Sequence, residues 1–213
     1  MIVSFRHDFV YVAIPRTATQ SMREALRPHL GPRDWEQCLL FARKRFPVAP
    51  LAALRHGHLT CQDVEPYLLP NFWRHAFKFA TVRDPFDRFL SACRFAYRGT
   101  DEMQRDPLGA MKRVIQEGYP DRHILFRPQH HFVTGSHGEL LVDYLVRFES
   151  LHRGYEQVCA RLSLAPWLLS HRNGSEGDCT YDEELEALVR DTYRADFTLF
   201  NYPAHLQELA ACS

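Results

Sequence analysis

Apolar and polar positions along the chain form blocks that predict strands and helices in βα order. Residues 9–14 are apolar throughout, which is typical of a strand buried on both faces inside a parallel sheet. Apolar or large residues then recur at helical spacing before Gly31 and Pro32, which end the helix: Met22, Ala25, Leu26, His29, Leu30. This part of the chain therefore predicts a core strand, a polar turn and an amphipathic helix.

The same alternation continues to the other end of the chain. Residues 76–82 predict a second strand, and Asp84 and Pro85 follow as a helix N-cap and a proline at the first helical position. The remaining segments predict a strand at 140–148 and helices at 35–46, 60–68, 108–117, 151–162 and 182–193, the last capped by Asp182. An open α/β sheet with helices on both faces follows from this order.

Composition allows one sizeable core and gives no global charge signal. The chain has 213 residues, of which 46% are hydrophobic, and we expect a single domain spanning residues 1–213. Lysine and arginine together number 26, equal to aspartate plus glutamate, so no basic field favours nucleic acid. Any anion-binding site must therefore be local.

The cysteines and the apolar runs predict a cytoplasmic protein. The six cysteines include no CxxC pair, so we expect free thiols in a reducing compartment. A core strand is reached within ten residues, which leaves no room for a signal peptide, and no apolar run approaches the ~20 residues of a membrane span. The sequence carries no signal for the oligomeric state.

Residues 15–21 join the first strand to its helix and predict an anion pocket. A helix N-terminus at the carboxyl edge of a sheet presents unpaired N–H groups and the positive end of its dipole. Thr17, Thr19 and Ser21 add hydroxyl donors, and Arg16 adds a charge that does not titrate.

The same residues offer two ways to cap the helix that follows. Thr17 with Gln20, or Ser21 with Glu24, has the spacing of a capping box, in which a hydroxyl and a carboxylate or amide satisfy N–H groups at the helix start. The sequence does not decide between these two pairs.

Residues 83–91 repeat the strand, turn and helix order and predict a second anion site. Arg83 leaves the carboxyl end of the strand, and Asp84, Arg88 and Ser91 share one helix face. An ion pair between Arg83 and a carboxylate would explain the same residues without any ligand.

In combination, these segments resemble the sulfotransferases. Residues 14–21, IPRTATQS, look like the family's 5′-phosphosulfate loop, and residues 82–91, VRDPFDRFLS, look like its 3′-phosphate motif. Residues 142–151 and 193–202 resemble the later strand and the C-terminal signature of the carbohydrate-type branch. The resemblance implies a P-loop-like three-layer α/β fold, with a central, mostly parallel sheet flanked by helices. It also implies transfer of the sulfuryl group of 3′-phosphoadenosine 5′-phosphosulfate (PAPS) to an acceptor hydroxyl or amine.

The resemblance also assigns the donor-binding residues. Those of the first loop are Arg16, Thr17, Ala18, Thr19, Gln20 and Ser21, those for the 3′-phosphate are Arg83 and Ser91, and Arg172 lies in the family's variable loop near the nucleotide. A nucleoside triphosphate kinase would show GxxxxGK[ST], and this loop has no glycine. Arg16 stands where the family usually has lysine, so a catalytic role for Arg16 should be electrostatic only.

An acceptor hydroxyl needs a base, and residues 56–58 offer one. His56-Gly57-His58 resembles the His-Gly-His segment of the uronyl 2-O-sulfotransferases, which implies that His58 is the base and that His56 supports it. The alternatives are a surface histidine pair or a metal site, although a metal site needs three or four ligands and the sequence shows no third nearby. His130 and His131 lie where the family often has a glutamine-containing segment lining the cleft, but an adjacent pair is weak evidence among 12 histidines.

These observations favour a sulfotransferase acting on a small-molecule or carbohydrate acceptor. Two alternatives remain: a noncatalytic protein that binds PAPS or its product, adenosine 3′,5′-bisphosphate (PAP), and an ATP-dependent phosphotransferase.

Overall fold

A five-stranded sheet organises the residues that the computed structural model describes, namely 1–36, 47–54, 56–170 and 181–206. The strands are β1 (Ile2–Ser4), β2 (Phe9–Val12), β3 (Trp35–Glu36), β4 (Phe77–Val82) and β5 (Tyr144–Arg147), in the order β3-β1-β2-β4-β5. β2 pairs in parallel with β4, with Val12 opposite Ala80, and β4 pairs in parallel with β5, with Val82 opposite Arg147.

Only β1 runs against the other strands of this described sheet. It is antiparallel to both β2 and β3, so β3 has the same direction as β2, and the sheet is mostly parallel as predicted. β1 itself was not predicted, since Ile2–Ser4 is too short to show a period. The predicted first strand has its expected central place, between β1 and β4, and all of its residues are buried.

Twelve α-helices occur in the described residues. They are α1 (Thr19–Leu26), α2 (Ala49–Ala52), α3 (Cys61–Val64), α4 (Pro70–His75), α5 (Pro85–Ala96), α6 (Glu102–Arg105), α7 (Pro107–Gln116), α8 (Tyr119–Arg122), α9 (His130–Val133), α10 (Leu151–Leu162), α11 (Glu183–Thr192) and α12 (Arg194–Leu199). Short 3₁₀ helices cover Arg27–His29, Glu65–Tyr67 and Phe148–Ser150.

The chain forms two compact units. The first comprises Met1–Val82 and His131–Arg172 and contains the whole sheet. Its core joins one face of the sheet to α1 and α10 and includes Phe9, Tyr11, Ala13, Met22, Ala25, Leu26, Phe79, Val146, Tyr155 and Val158. The burial of these side chains fixes the carboxyl end of β2 against α1.

Helix α10 approaches β5 closely at Gly154. A Cβ atom at this position would lie 2.6 Å from Cγ1 of Val146. Nonbonded carbon atoms essentially never approach each other this closely, so the short separation of helix and strand depends on glycine having no side chain.

The second unit comprises Arg83–His130 and Asn173–Ser213, and aromatic rings build its interior. Phe86 lies 4.9 Å from Phe197, and Phe89 lies 5.9 Å from Tyr193, between ring centroids. Lys112 on α7 bonds the carboxylates of Asp182 and Glu184 at the start of α11. These contacts join α5, α7, α11 and α12 into one body.

Most of the predicted elements are confirmed. The helix at 151–162 is α10, Asp182 caps α11 by accepting from the N–H of Leu185, and Asp84 caps α5 by accepting from the N–H of Asp87. The helix predicted over 35–46 is wrong at its start, because Trp35 pairs with Val3 in the sheet. Residues 37–46 lie outside the described part of the chain.

Three of the cysteines can be located. Cys61, Cys93 and Cys159 are buried free thiols, as predicted, whereas Cys38, Cys179 and Cys212 lie outside the described residues. In the described part, no helix has both the length and the apolar character needed to cross a membrane.

Candidate functional site

The backbone of the loop after β2 has the shape of an anion-binding nest. Arg16 and Ala18 both adopt the left-handed conformation, with φ of 66° and 61°, on either side of Thr17. Left-handed residues alternating with ordinary ones turn successive N–H groups toward one point, where an anion binds. Helix α1 starts immediately afterwards at Thr19, so its first N–H groups and its dipole face the same region. The loop achieves this shape without glycine.

Two of the hydroxyl groups of the loop bond to the protein. Thr17 is fully buried, and its Oγ1 donates to the carbonyl of Ile14 at 2.9 Å. Oγ of Ser21 donates to the carbonyl of Ser170 at 2.7 Å. These two hydroxyls are therefore already bonded within the protein, and the backbone N–H groups at the start of α1 are the donors expected to serve an anion.

Neither predicted capping box forms. The N-cap residue of α1 is Ala18, and no side chain caps the helix. Thr17 bonds Ile14 instead, and Nε2 of Gln20 donates to Oε1 of Glu24 at 3.2 Å. The nest places the start of the helix one residue after Ala18, which leaves Ser21 inside the helix.

Glu24 connects α1 to the segment that follows α10. Its Oε1 accepts from Gln20, and its Oε2 accepts from Oγ of Ser170 at 2.8 Å. Arg172, expected near the nucleotide, lies outside the described residues.

His58 lies beside the first residue of the loop. Its Nδ1 is 2.7 Å from the carbonyl oxygen of Ala13, the residue directly after β2. A carbonyl oxygen only accepts, so Nδ1 carries the hydrogen and Nε2 has the lone pair. The side chain is partly buried, and it has the tautomer that a base acting through Nε2 requires.

The surroundings of His58 keep its imidazole neutral. Burial, as the largest cause, and the positive charge of Arg23 together lower its pKa to about 3, and the hydrogen bond to Ala13 opposes both. An anion bound in the adjacent loop would oppose the effect of Arg23 and raise this pKa.

Arg23 and His56 hold the backbone around His58. Nη2 of the buried Arg23 donates to the carbonyl of Gly57 at 2.6 Å, and the nitrogen of Met1 donates to the same oxygen at 2.8 Å. The N–H of His58 donates to Nδ1 of His56 at 3.4 Å, and the two rings stack at 6.4 Å. Arg23 was not predicted, because its partner is 34 residues away and no spacing rule links them.

The second predicted anion motif lies in the second unit. Arg83 and Ser91 are buried, with 7% and 1% of their surfaces exposed. Nη2 of Arg83 is 3.8 Å from Oδ2 of Asp87, whose side chain is 60% exposed, which is a weak ion pair. The predicted ion pair therefore exists, but its length and its exposure to water make Asp87 a weak competitor for a bound anion.

Arg88, on the same helix as Ser91, has a structural role in this unit. It is 1% exposed, and its Nη2 donates to the carbonyls of Leu125 and Arg127. Two further residues that the sequence did not single out, Gln129 and Asp196, bond next to Arg83. The signal for them was faint: Gln129 directly precedes the noted pair His130 and His131, and Asp196 lies in residues 193–202, which were noted for a different reason.

Within the described residues, no three histidine, cysteine, aspartate or glutamate side chains lie close enough together to hold a metal ion.

A sequence profile described as "Sulfotransferase family" matches residues 1–203 of the chain. No curated protein and no solved structure matches this chain.

Proposed function

The chain belongs to the sulfotransferase family, and we propose that it moves the sulfuryl group of PAPS to the hydroxyl or amine of an acceptor. The observation that carries this proposal is the contact of His58 with Ala13, because it joins the candidate base to the residue directly before the candidate phosphosulfate loop. The family profile runs through both units, which supports one functional domain over residues 1–213.

In this proposal the first loop holds the 5′-phosphosulfate. The left-handed Arg16 and Ala18 turn the backbone N–H groups of the loop toward the anion, and Arg16 supplies a positive charge. The proposed donor-binding loop also includes Thr17, Thr19, Gln20 and Ser21. Thr17 and Ser21 fix its shape through their bonds to Ile14 and Ser170.

Arg83 and Ser91 hold the 3′-phosphate in the same proposal. A guanidinium binds phosphate oxygens through paired N–H donors, and a buried arginine binds them more strongly than an exposed one. Arg172 is proposed to contact the same nucleotide, on the family resemblance alone.

The proposed reaction is an in-line displacement at sulfur. The donor, when bound, supplies the sulfuryl group: the acceptor oxygen forms a bond to sulfur as the bond from sulfur to the bridging oxygen of the 5′-phosphate breaks. Nε2 of His58 takes the proton of the acceptor hydroxyl, and His56 supports the backbone of His58. Arg16 stabilises the charge that develops on the leaving oxygen, without giving a proton.

A small molecule or a carbohydrate is the proposed acceptor, in line with the family. The proposed location is a reducing, cytoplasmic compartment, which the buried free thiols of Cys61, Cys93 and Cys159 support.

The test combines donor binding with turnover. Calorimetry compares PAP with ATP, and sulfuryl transfer from PAPS is measured on a panel of hydroxyl and amine acceptors. We expect preference for PAP, and we expect His58→Ala to reduce transfer about 100-fold or more while PAP affinity changes little. His75→Ala is the matched control, because Nδ1 of His75 also lies 2.8 Å from a backbone carbonyl, that of Asn71, but on the exposed α4.

Each other result identifies an alternative. Preference for ATP would favour a phosphotransferase. Tight PAP binding without transfer to any acceptor, and indifference to His58→Ala, would favour a noncatalytic nucleotide-binding protein.

A further inference from the structure

A buried carboxylate in the second unit holds the segment that contains Gln129 and His130. Asp196 on α12 is fully buried, and its Oδ2 accepts from the N–H of Gln129 at 2.7 Å. Its Oδ1 accepts from the N–H of His130 at 2.8 Å and is 2.7 Å from Nδ1 of the same residue. A buried charge with several charge-assisted hydrogen bonds fixes the backbone that provides the donors.

Gln129, held in this way, uses both ends of its side-chain amide on Arg83. Oε1 accepts from the N–H of Arg83 at 3.0 Å, and Nε2 donates to the carbonyl of Arg83 at 2.8 Å. Gln129 is fully buried, so water does not compete for these bonds. The pair of bonds restrains the backbone of Arg83 as the partner strand in a sheet would.

The charge of Asp196 also acts on Arg88. Burial lowers the pKa of Arg88, the nearby Tyr193 and Asp196 raise it, and the positive charge of Arg83 lowers it. Asp196 therefore offsets part of the electrostatic repulsion between Arg83 and Arg88.

We propose that Asp196, acting through Gln129, is a positioning residue that fixes Arg83 for the 3′-phosphate and so sets the preference for 3′-phosphorylated nucleotides. This inference rests on the proposed role of Arg83. A guanidinium gains its full binding energy only when both of its donors face the phosphate oxygens, and a backbone displaced by about 1 Å loses that alignment. Gln129 and Asp196 thus act on nucleotide selectivity without touching the nucleotide.

The test measures the affinity ratio of two probes that differ by one group. Calorimetry gives the affinities for PAP and for adenosine 5′-monophosphate, which lacks the 3′-phosphate. We expect Gln129→Met, which has a similar shape but no amide, to weaken PAP binding about 10-fold or more and to leave monophosphate binding within about two-fold. Asp196→Asn keeps one acceptor oxygen, so we expect a smaller loss in the same ratio.

The control removes another buried hydrogen bond of this unit. Tyr193→Phe deletes the bond from the hydroxyl of Tyr193 to the carbonyl of Phe126, 2.8 Å long, and we expect the affinity ratio to be unchanged. An equal change in Tyr193→Phe would show that general loosening of the unit is the cause, and would overturn the proposal. Should Gln129→Met fail to fold, Gln129→Glu provides the comparison, because it keeps the acceptor for Arg83 N–H and loses the donor to Arg83 carbonyl.

A double-mutant cycle separates this inference from the proposed function. If the wild type binds both probes equally, or if Arg83→Met leaves the ratio unchanged, the role of Arg83 itself is wrong. If Arg83→Met removes the preference and Gln129→Met does not change it, only the positioning role is wrong. We expect Gln129→Met to have no further effect on the ratio in the Arg83→Met background, since both substitutions remove the same interaction.

Discussion

Nη2 of Arg23 on α1 lies 2.6 Å from the carbonyl oxygen of Gly57, and through this bond α1 positions the neighbouring His58. The helix that follows the candidate phosphosulfate loop thus also holds the candidate base. Helix α1 therefore sets the position of His58 relative to the loop, and the guanidinium of Arg23 lowers the pKa of His58.

Arg23→Gln should raise the pKa of His58. The positive charge of Arg23 lowers this pKa to a degree second only to burial, and glutamine keeps an amide donor for Gly57 without the charge. Titration of the histidine side chains by NMR measures the change. A His58 pKa that stays at about 3 would show that the charge of Arg23 is unimportant.

His58 should also make stability depend on pH. Its pKa is about 3 in the folded protein against about 6.5 in an unfolded chain, so the unfolded state binds more protons between these values. Stability from this group is full above pH 6.5 and falls, by up to about 1.4 kcal/mol per unit, as the pH drops toward 3.

His58→Asn checks this prediction, because asparagine keeps an N–H donor for the carbonyl of Ala13. Urea unfolding at several pH values should give a flatter pH dependence below about 6.5 for the variant than for the wild type. His75→Asn serves as the control on the exposed α4, and its profile should follow that of the wild type.

Ala18→Gly should stabilise the protein. Ala18 has a φ of 61°, a conformation that costs an alanine roughly 1 kcal/mol and a glycine almost nothing. The greater freedom of glycine in the unfolded chain opposes this gain, so we expect a net increase of no more than about 1 kcal/mol. Chemical denaturation measures it, and a loss of stability would show that the methyl group of Ala18 has packing contacts that outweigh the strain.

Arg16→Lys and Arg16→Met should separate the charge of Arg16 from its geometry. Lysine keeps the charge and is the usual residue of the family, so we expect turnover within about 10-fold of the wild type. Methionine removes the charge, and we expect turnover to fall about 100-fold or more. Steady-state rates with PAPS give both numbers, and equal rates for Arg16→Met and the wild type would exclude electrostatic stabilisation by Arg16.

Gly154→Ala should destabilise the first unit. The added Cβ would meet Cγ1 of Val146 at 2.6 Å, and overpacking of this kind typically costs about 1–3 kcal/mol, against a gain of about 1 kcal/mol in helix propensity. Thermal unfolding measures the loss. The double variant Gly154→Ala, Val146→Ala removes the clash. Its loss of stability should therefore be smaller than the sum of the losses in the two single variants.

The sequence was most informative where local rules decide the structure. Asp84 and Asp182 cap their helices as predicted, because capping depends on residues only three positions apart. It was least informative where partners are distant in the chain. Strand β3 forms because Trp35 pairs with Val3, and no pattern within residues 35–46 indicates that pairing.

The candidate site divides in the same way. The loop at residues 14–21 and the His-Gly-His segment were identified from the sequence. The contact of His58 with Ala13, the residue directly before this loop, links positions 45 residues apart. Arg23 and Glu24 supply bonds that hold the His-Gly-His segment and the loop, and Gln129 and Asp196 supply those that hold Arg83. Such supporting bonds leave little trace in a single sequence, because any donor or acceptor of suitable reach can form them.

The glycine-free loop has a consequence for the energetics of binding. Arginine and alanine explore fewer backbone conformations than glycine, so a loop that contains them at residues 16 and 18 starts from a narrower ensemble. Less conformational entropy is then lost when an anion fixes the loop, and the strain at Arg16 and Ala18 is already present before the anion arrives. The loop is thus preorganised before an anion binds. Its affinity depends less on ordering of the backbone around the ligand than the affinity of a glycine-rich loop does.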